Sequence, residues 1–138
     1  MIAFDTNLLV RAVVDDNPAQ VAIVRRLIMQ NSVFISRTVL LETEWVLRAV
    51  YMKSRDEILE FFRALLEIDN TEVEDSTQVG YALDWYEQGS DFADALHLAV
   101  CGSAVMHTFD KGFCKTAREA GITPPIVVLA QSGRVSAA

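Results

Sequence analysis

The chain has 138 residues, 51% of them hydrophobic, which suffices for one buried core and makes a second domain unexpected. Its formal charge of −7, from 19 acids against 12 bases, argues against a surface that grips nucleic acid by phosphate neutralisation alone. It leaves room for acids that hold cations, and for a basic protein partner.

Met1-Ile-Ala-Phe-Asp5 shows no basic segment ahead of an apolar run, and Ala95 to Val100 is far shorter than the ~20 residues of a membrane span. Cys101 and Cys114 form no CxxC pair, which suits a reducing compartment. The expectation is a soluble, cytoplasmic protein with no membrane segment, forming a single domain over residues 1–138.

In chain order, Ile2 to Phe4 predicts a first strand that Asp5-Thr6-Asn7 ends, with a helix departing from it. Asp5 has the chemistry of a helix cap. Thr6 and Asn7 could cap equally well, which leaves Asp5 for another task. Asn17 to Gln30 repeats apolar residues at Val21, Val24, Leu27 and Ile28, as an amphipathic helix does. Val33 to Ile35 has strand length, and Thr38 to Lys53 is a predicted helix that carries Glu42 and Glu44.

These two glutamates have opposite surroundings one turn away. Glu44 has Arg48 as its i+4 partner. Glu42 has Trp45 and Val46 ahead and Val39 behind, so its stripe is largely apolar. Ile58, Phe61, Phe62, Leu65 and Leu66 mark a further coating helix, and Thr71 to Val73 a short extra strand.

Helices are predicted at Gln78 to Glu87, Asp91 to Ala104 and Lys111 to Ala120, with strands at Val105 to His107 and Ile126 to Leu129. Asp94 shares a stripe with Asp91, Leu98 and Cys101 and is expected to be partly buried. Asp91 reads either as a helix cap or as a ligand. Asp110 follows Val105-Met-His-Thr-Phe109 and so ends a predicted strand, as Asp5 does.

Strands alternating with helices imply crossover connections, and hence an α/β fold, a three-layer α/β/α sandwich with a central parallel sheet. Ligands of such sheets bind beyond the carboxyl ends of the strands. Three of the four acids Asp5, Glu42, Asp94 and Asp110 occupy positions where apolar residues are usual. Gathered and buried, such carboxylates call for a cation.

Competing chemistries have less support. His97, Cys101, His107 and Cys114 offer zinc-binding atoms without knuckle spacing. The six glycines are scattered and form no phosphate loop, and no Gly-x-Ser-x-Gly elbow occurs. A phosphatase with an aspartyl nucleophile would need a second Asp where Asn7 stands. Trp45, Phe61, Phe62, Trp85 and Tyr86 read as core or interface residues, and Arg11, Arg37, Lys111 and Lys115 as scattered surface charge.

Asp5-Thr6-Asn7, then Ile35-Ser36 through Leu41-Glu-Thr-Glu-Trp45, then Asp91-Phe-Ala-Asp-Ala-Leu96 and Thr108-Phe-Asp110, resembles the motif order of the PIN-domain nucleases. Within them it is similar to the toxin ribonucleases of VapBC toxin-antitoxin systems, over nearly the whole chain. The resemblance implies that Asp5, Glu42, Asp94 and Asp110 form a catalytic, metal-binding quartet with the Thr108 hydroxyl supporting Asp110. It implies Mg²⁺ or Mn²⁺, a metal-activated water that hydrolyses RNA phosphodiesters to 5′-phosphate and 3′-hydroxyl ends, a cognate antitoxin protein and a homodimer. A PIN nuclease of RNA processing without an antitoxin, and a noncatalytic protein-binding module, are the alternatives.

Overall fold

Four short polar side chains decide where the first helices begin. The computed structural model describes residues 1–130 and the backbone of Val135–Ala137, and it divides into two compact units, Met1–Ser76 and Thr77–Ala138. In the first unit the Asp5, Asn17, Ser36 and Ser54 side chains each accept a hydrogen bond from a backbone N–H of the turn that follows. Such N–H groups have no partner inside the helix, so a side-chain oxygen there stabilises it by roughly 1 kcal/mol.

These caps open α1 (Thr6–Val13), α2 (Pro18–Gln30), α3 (Arg37–Ala49) and α4 (Arg55–Glu67). At α4 Glu57 returns a bond to the Ser54 N–H, completing a capping box that holds its carboxyl below the usual range. Between the helices run β1 (Ile2–Ala3), β2 (Val33–Ile35) and β3 (Thr71–Val73), paired in that order and parallel throughout. Pairs of helices make each crossover, as parallel strands require.

Two strand residues suffice for β1 because its register is fixed from outside. Ile2 lies opposite Val33, and the Phe4 N–H donates to Phe34 O at 3.1 Å. Phe4, Leu9, Val33, Ile35, Leu40 and Leu47 are buried, and α1 packs on α3. The chain therefore leaves the end of β1 at Asp5 already committed to α1.

The second unit contains α5 (Ser76–Glu87, from the boundary), α6 (Phe92–Ala99), β4 (Met106–Thr108), α7 (Lys115–Glu119), β5 (Ile126–Leu129) and β6 (Val135–Ala137). β4 and β5 are parallel, with Thr108 opposite Val128, while β6 adds to β5 antiparallel. Tyr86 meets Phe92 edge to face at 5.5 Å, and the Trp85 Nε1–H donates to Ile122 O at 3.0 Å. Both aromatic anchors are buried.

The α/β class with parallel pairing is thus as expected, with four corrections of extent, the first being that α3 ends at Ala49 and not at Lys53. The edge strand β6 is antiparallel and was not anticipated. Helix α6 stops at Ala99, well short of Ala104, where Gly102 takes a left-handed φ of +62°. Helix α7 starts only at Lys115, because the chain turns through residues 111–114 first. Among the described residues no helix is long and apolar enough to cross a membrane.

Candidate metal centre

In the first unit, Asp5 stands just past the end of β1 and uses Oδ1 to accept the Leu8 N–H at 3.2 Å. The expectation that Thr6 or Asn7 would cap in its place is corrected. Thr6, at the first helical position, is buried and donates its hydroxyl to Oε1 of Glu42 in a short hydrogen bond. Because α1 packs on α3, the residue after Asp5 fixes the orientation of Glu42.

The two glutamates of α3 reverse their expected burial. Glu42 and Trp45 are exposed, whereas Glu44 is 3% exposed. Its partner Arg48 donates from Nε to Oε2 at 2.9 Å, while the Arg48 side chain itself stays half in water. An i, i+4 partner thus accompanied burial, because a long guanidinium arm can neutralise a buried acid while its own stem remains at the surface. Arg11 and Arg37 are engaged as well: Arg11 with Asp16 and the Tyr51 hydroxyl, Arg37 with Glu74 and with Asp75 at 3.2 Å. The Arg37 N–H also bonds Glu74 and is the main cause of its lowered carboxyl pKa.

In the second unit Asp91 caps α6, its Oδ2 accepting the Asp94 N–H at 3.1 Å. Asp91 is thus a helix cap, and its Oδ1 is not used in that bond. Asp94, at the third helical position, is half-buried, as expected, and its carboxyl is pushed up by burial first, then by the charges of Asp91 and Asp110, with His97 opposing. Asp91, Asp94 and Asp110 therefore lie close enough to repel.

Asp110 follows β4 in a tight turn. Its N–H donates to the Thr108 hydroxyl at 3.0 Å, its Oδ1 accepts the Gly112 N–H at 2.8 Å, and its carbonyl accepts the Phe113 N–H. A Cβ at Gly112 would come within 3.2 Å of that same Oδ1. Arg118 braces the turn from α7, donating to the carbonyls of Phe113 and Lys111, both at 3.0 Å. Cys114 enters α7 buried and left-handed at φ 47°, its thiol pushed up by burial and further by Asp94 and Asp91.

The expectation of buried carboxylates is corrected: Asp5, Glu42 and Asp110 are exposed, and only Asp94 of the four is partly covered. Asp5 and Asp110 lie just past strand ends, where the chain reaches solvent, and Glu42 lies on the outer face of α3. Phe62, Trp85 and Tyr86 are core residues as expected. Thr6 as the partner of Glu42 was not foreseen, although the hydroxyl at the first helical position was visible in Asp5-Thr6-Asn7.

As donors, these acids suit a hard divalent cation such as Mg²⁺ or Mn²⁺, which takes oxygen ligands and relieves like-charge repulsion. Among the described residues, no three His, Cys, Asp or Glu side chains already have the spacing to grip an ion.

No curated protein and no solved structure matches the chain. The PIN domain family model does, over residues 2–119, from the residue that opens β1 to the last residue of α7. That span includes Asp5, Glu42, Asp91, Asp94 and Asp110, and the chain belongs to the PIN domain family.

Proposed function

We propose that the chain is a metal-dependent endoribonuclease acting as the toxin of a toxin-antitoxin pair, with Asp5, Glu42, Asp94 and Asp110 as its catalytic and metal-binding acids. PIN domains are commonly metal-dependent nucleases that use Mg²⁺ or Mn²⁺. The observation that carries the reading is that acids stand just beyond the carboxyl ends of β1 and β4, where parallel sheets present ligand sites. Residues 1–138 act in this reading as one domain.

The chain's own contribution is to fix one oxygen of Asp5, Glu42 and Asp110 and present the other. Leu8 N–H holds Asp5, the Thr6 hydroxyl holds Glu42, and Gly112 N–H holds Asp110. A carboxylate oriented by a second hydrogen bond offers its remaining oxygen in a set direction. The Asp94 carboxylate is half-buried and is repelled by Asp91 and Asp110, so its charge is the one most in need of a counter-ion. Asp5, Glu42, Asp94 and Asp110 would hold the divalent ion, whose chemistry there would be positive charge beside the scissile phosphate and a more acidic water.

The charge of −7 supports a partner that brings basic residues to the acids, as an antitoxin segment does. A homodimer and a cytoplasmic location belong to the same reading. The test is incubation of the purified protein with cellular RNA and Mg²⁺ or Mn²⁺, mapping the ends produced. Cleavage that requires metal and is lost in Asp5→Asn is expected; cleavage that survives Asp5→Asn would sink the site. A neighbouring short reading frame encoding a DNA-binding protein distinguishes a toxin from an RNA-processing nuclease. Absence of any metal-dependent stabilisation would instead favour a noncatalytic binding module.

A further inference from the structure

Phe109, the residue immediately before Asp110, is 67% exposed, more than any other aromatic side chain among the described residues. A single exposed apolar side chain is ordinary on a protein surface. Three features set this one apart.

The first is rigidity. Asp110 takes bonds at its N–H, its carbonyl and its Oδ1, and Arg118 ties the carbonyls of Lys111 and Phe113 to α7. On the other side Thr108 is the last residue of β4, paired opposite Val128. The ring is therefore held out on a fixed backbone at little further cost in conformational entropy. The second is chemistry: Lys111, two residues on, and Lys115 are both exposed cations. The third is position, since the peptide that carries the ring leads directly into the Asp110 carboxylate.

An aromatic face on a rigid strand end, with cations one short turn away, is the combination that receives a nucleotide whose base is unpaired: the ring stacks and the lysines meet phosphates. We propose that Phe109 is a specificity-determining residue that stacks on the base flanking the phosphate cut at Asp110. The proposal rests on the nuclease reading above. A base held in a duplex already has both faces stacked and cannot offer one to the ring.

The experiment uses the full chain and a hairpin RNA whose single-stranded loop the wild-type protein cuts, together with the same RNA carrying one abasic nucleotide beside the cut. Phe109→Ala and Phe109→Leu are expected to lower kcat/KM by about 5- to 150-fold, while Phe109→Trp keeps it. The abasic site should cost the wild-type protein a similar factor and cost Phe109→Ala almost nothing. Wild-type rates in Phe109→Leu, or an abasic penalty equal in both proteins, would overturn the stacking role. If the wild-type protein cuts no RNA with either metal, the nuclease reading fails and this proposal with it; cutting that ignores Phe109 removes the proposal alone.

Discussion

In Met1–Ser76 the acids have donors: Asp5 the Leu8 N–H, Glu42 the Thr6 hydroxyl, Glu44 the Arg48 guanidinium, and Glu74 and Asp75 the side chain of Arg37. In Thr77–Ala138 Asp91 and Asp110 also accept backbone N–H groups, but Asp94 is raised by burial and then by the charges of both, against which His97 is the weaker influence. A hydrogen bond from a neutral donor or an ion pair stabilises a carboxylate without any further ligand. Carboxylates set against each other raise one another's pKa, and a bound cation reverses the effect. Asp5 and Glu42 are thus held by donors within their own unit, while Asp94 carries the charge that its own unit compensates least.

The comparison breaks most visibly at Thr6. Thr6→Val removes the hydroxyl that holds Glu42 and keeps the shape, so cleavage should fall about 10- to 100-fold with little change in melting temperature. Thr6→Ser should restore much of it, and steady-state kinetics on one RNA substrate decides. Next in size is Arg48→Met, which takes the guanidinium from a nearly buried carboxylate. Chemical denaturation should show a loss of about 1 to 3 kcal/mol with metal affinity unchanged.

A smaller effect separates the two tasks of Asp5. Asn caps helices as well as Asp, so Asp5→Asn should leave stability intact and remove activity, whereas Asp5→Ala should also cost about 1 kcal/mol in denaturation. Equal stability losses in both variants would mean that the Asp5 charge, not its cap, supports the fold.

The smallest effect sharpens the second unit. The Asp94 carboxyl is raised above its ordinary value by burial and by neighbouring charge, so folding favours its protonated form. Its contribution is therefore present below the unfolded pKa and lost as pH rises through the higher folded one. In metal-free protein Asp94→Asn should raise the melting temperature by about 1 to 3 °C near neutral pH and by nothing near pH 4. Added Mg²⁺ should then stabilise the wild-type protein and not the variant.

Where the fold was legible, the signal was local. Apolar runs at Val33–Ile35 and Ile126–Leu129 became strands with those bounds, and the apolar repeats at Val21 to Ile28 and Ile58 to Leu66 became α2 and α4. β6 carried no such signal: Val-Ser-Ala is too short and too mixed to announce a strand, and it owes its conformation to pairing with β5. The candidate site divides in the same way. Residue types and order were readable, and so was the partial cover of Asp94. Burial of Glu44 and exposure of Glu42 were not, because an i+4 partner says who pairs and not which way the helix turns. The bond from Thr6 to Glu42 spans 36 residues and depends on α1 meeting α3, which no local pattern encodes.

Gly112 sets how much sequence change the Asp110 turn can absorb. Its N–H holds the carboxylate, and the space a Cβ would need lies 3.2 Å from the oxygen so held. Any other residue displaces the acceptor by a few tenths of an ångström, and proline would remove the donor as well, so inheritance of the acid alone does not preserve the geometry. In a lineage drifting from this sequence, position 112 would close to substitution before the exposed Lys111 beside it, although neither side chain reacts.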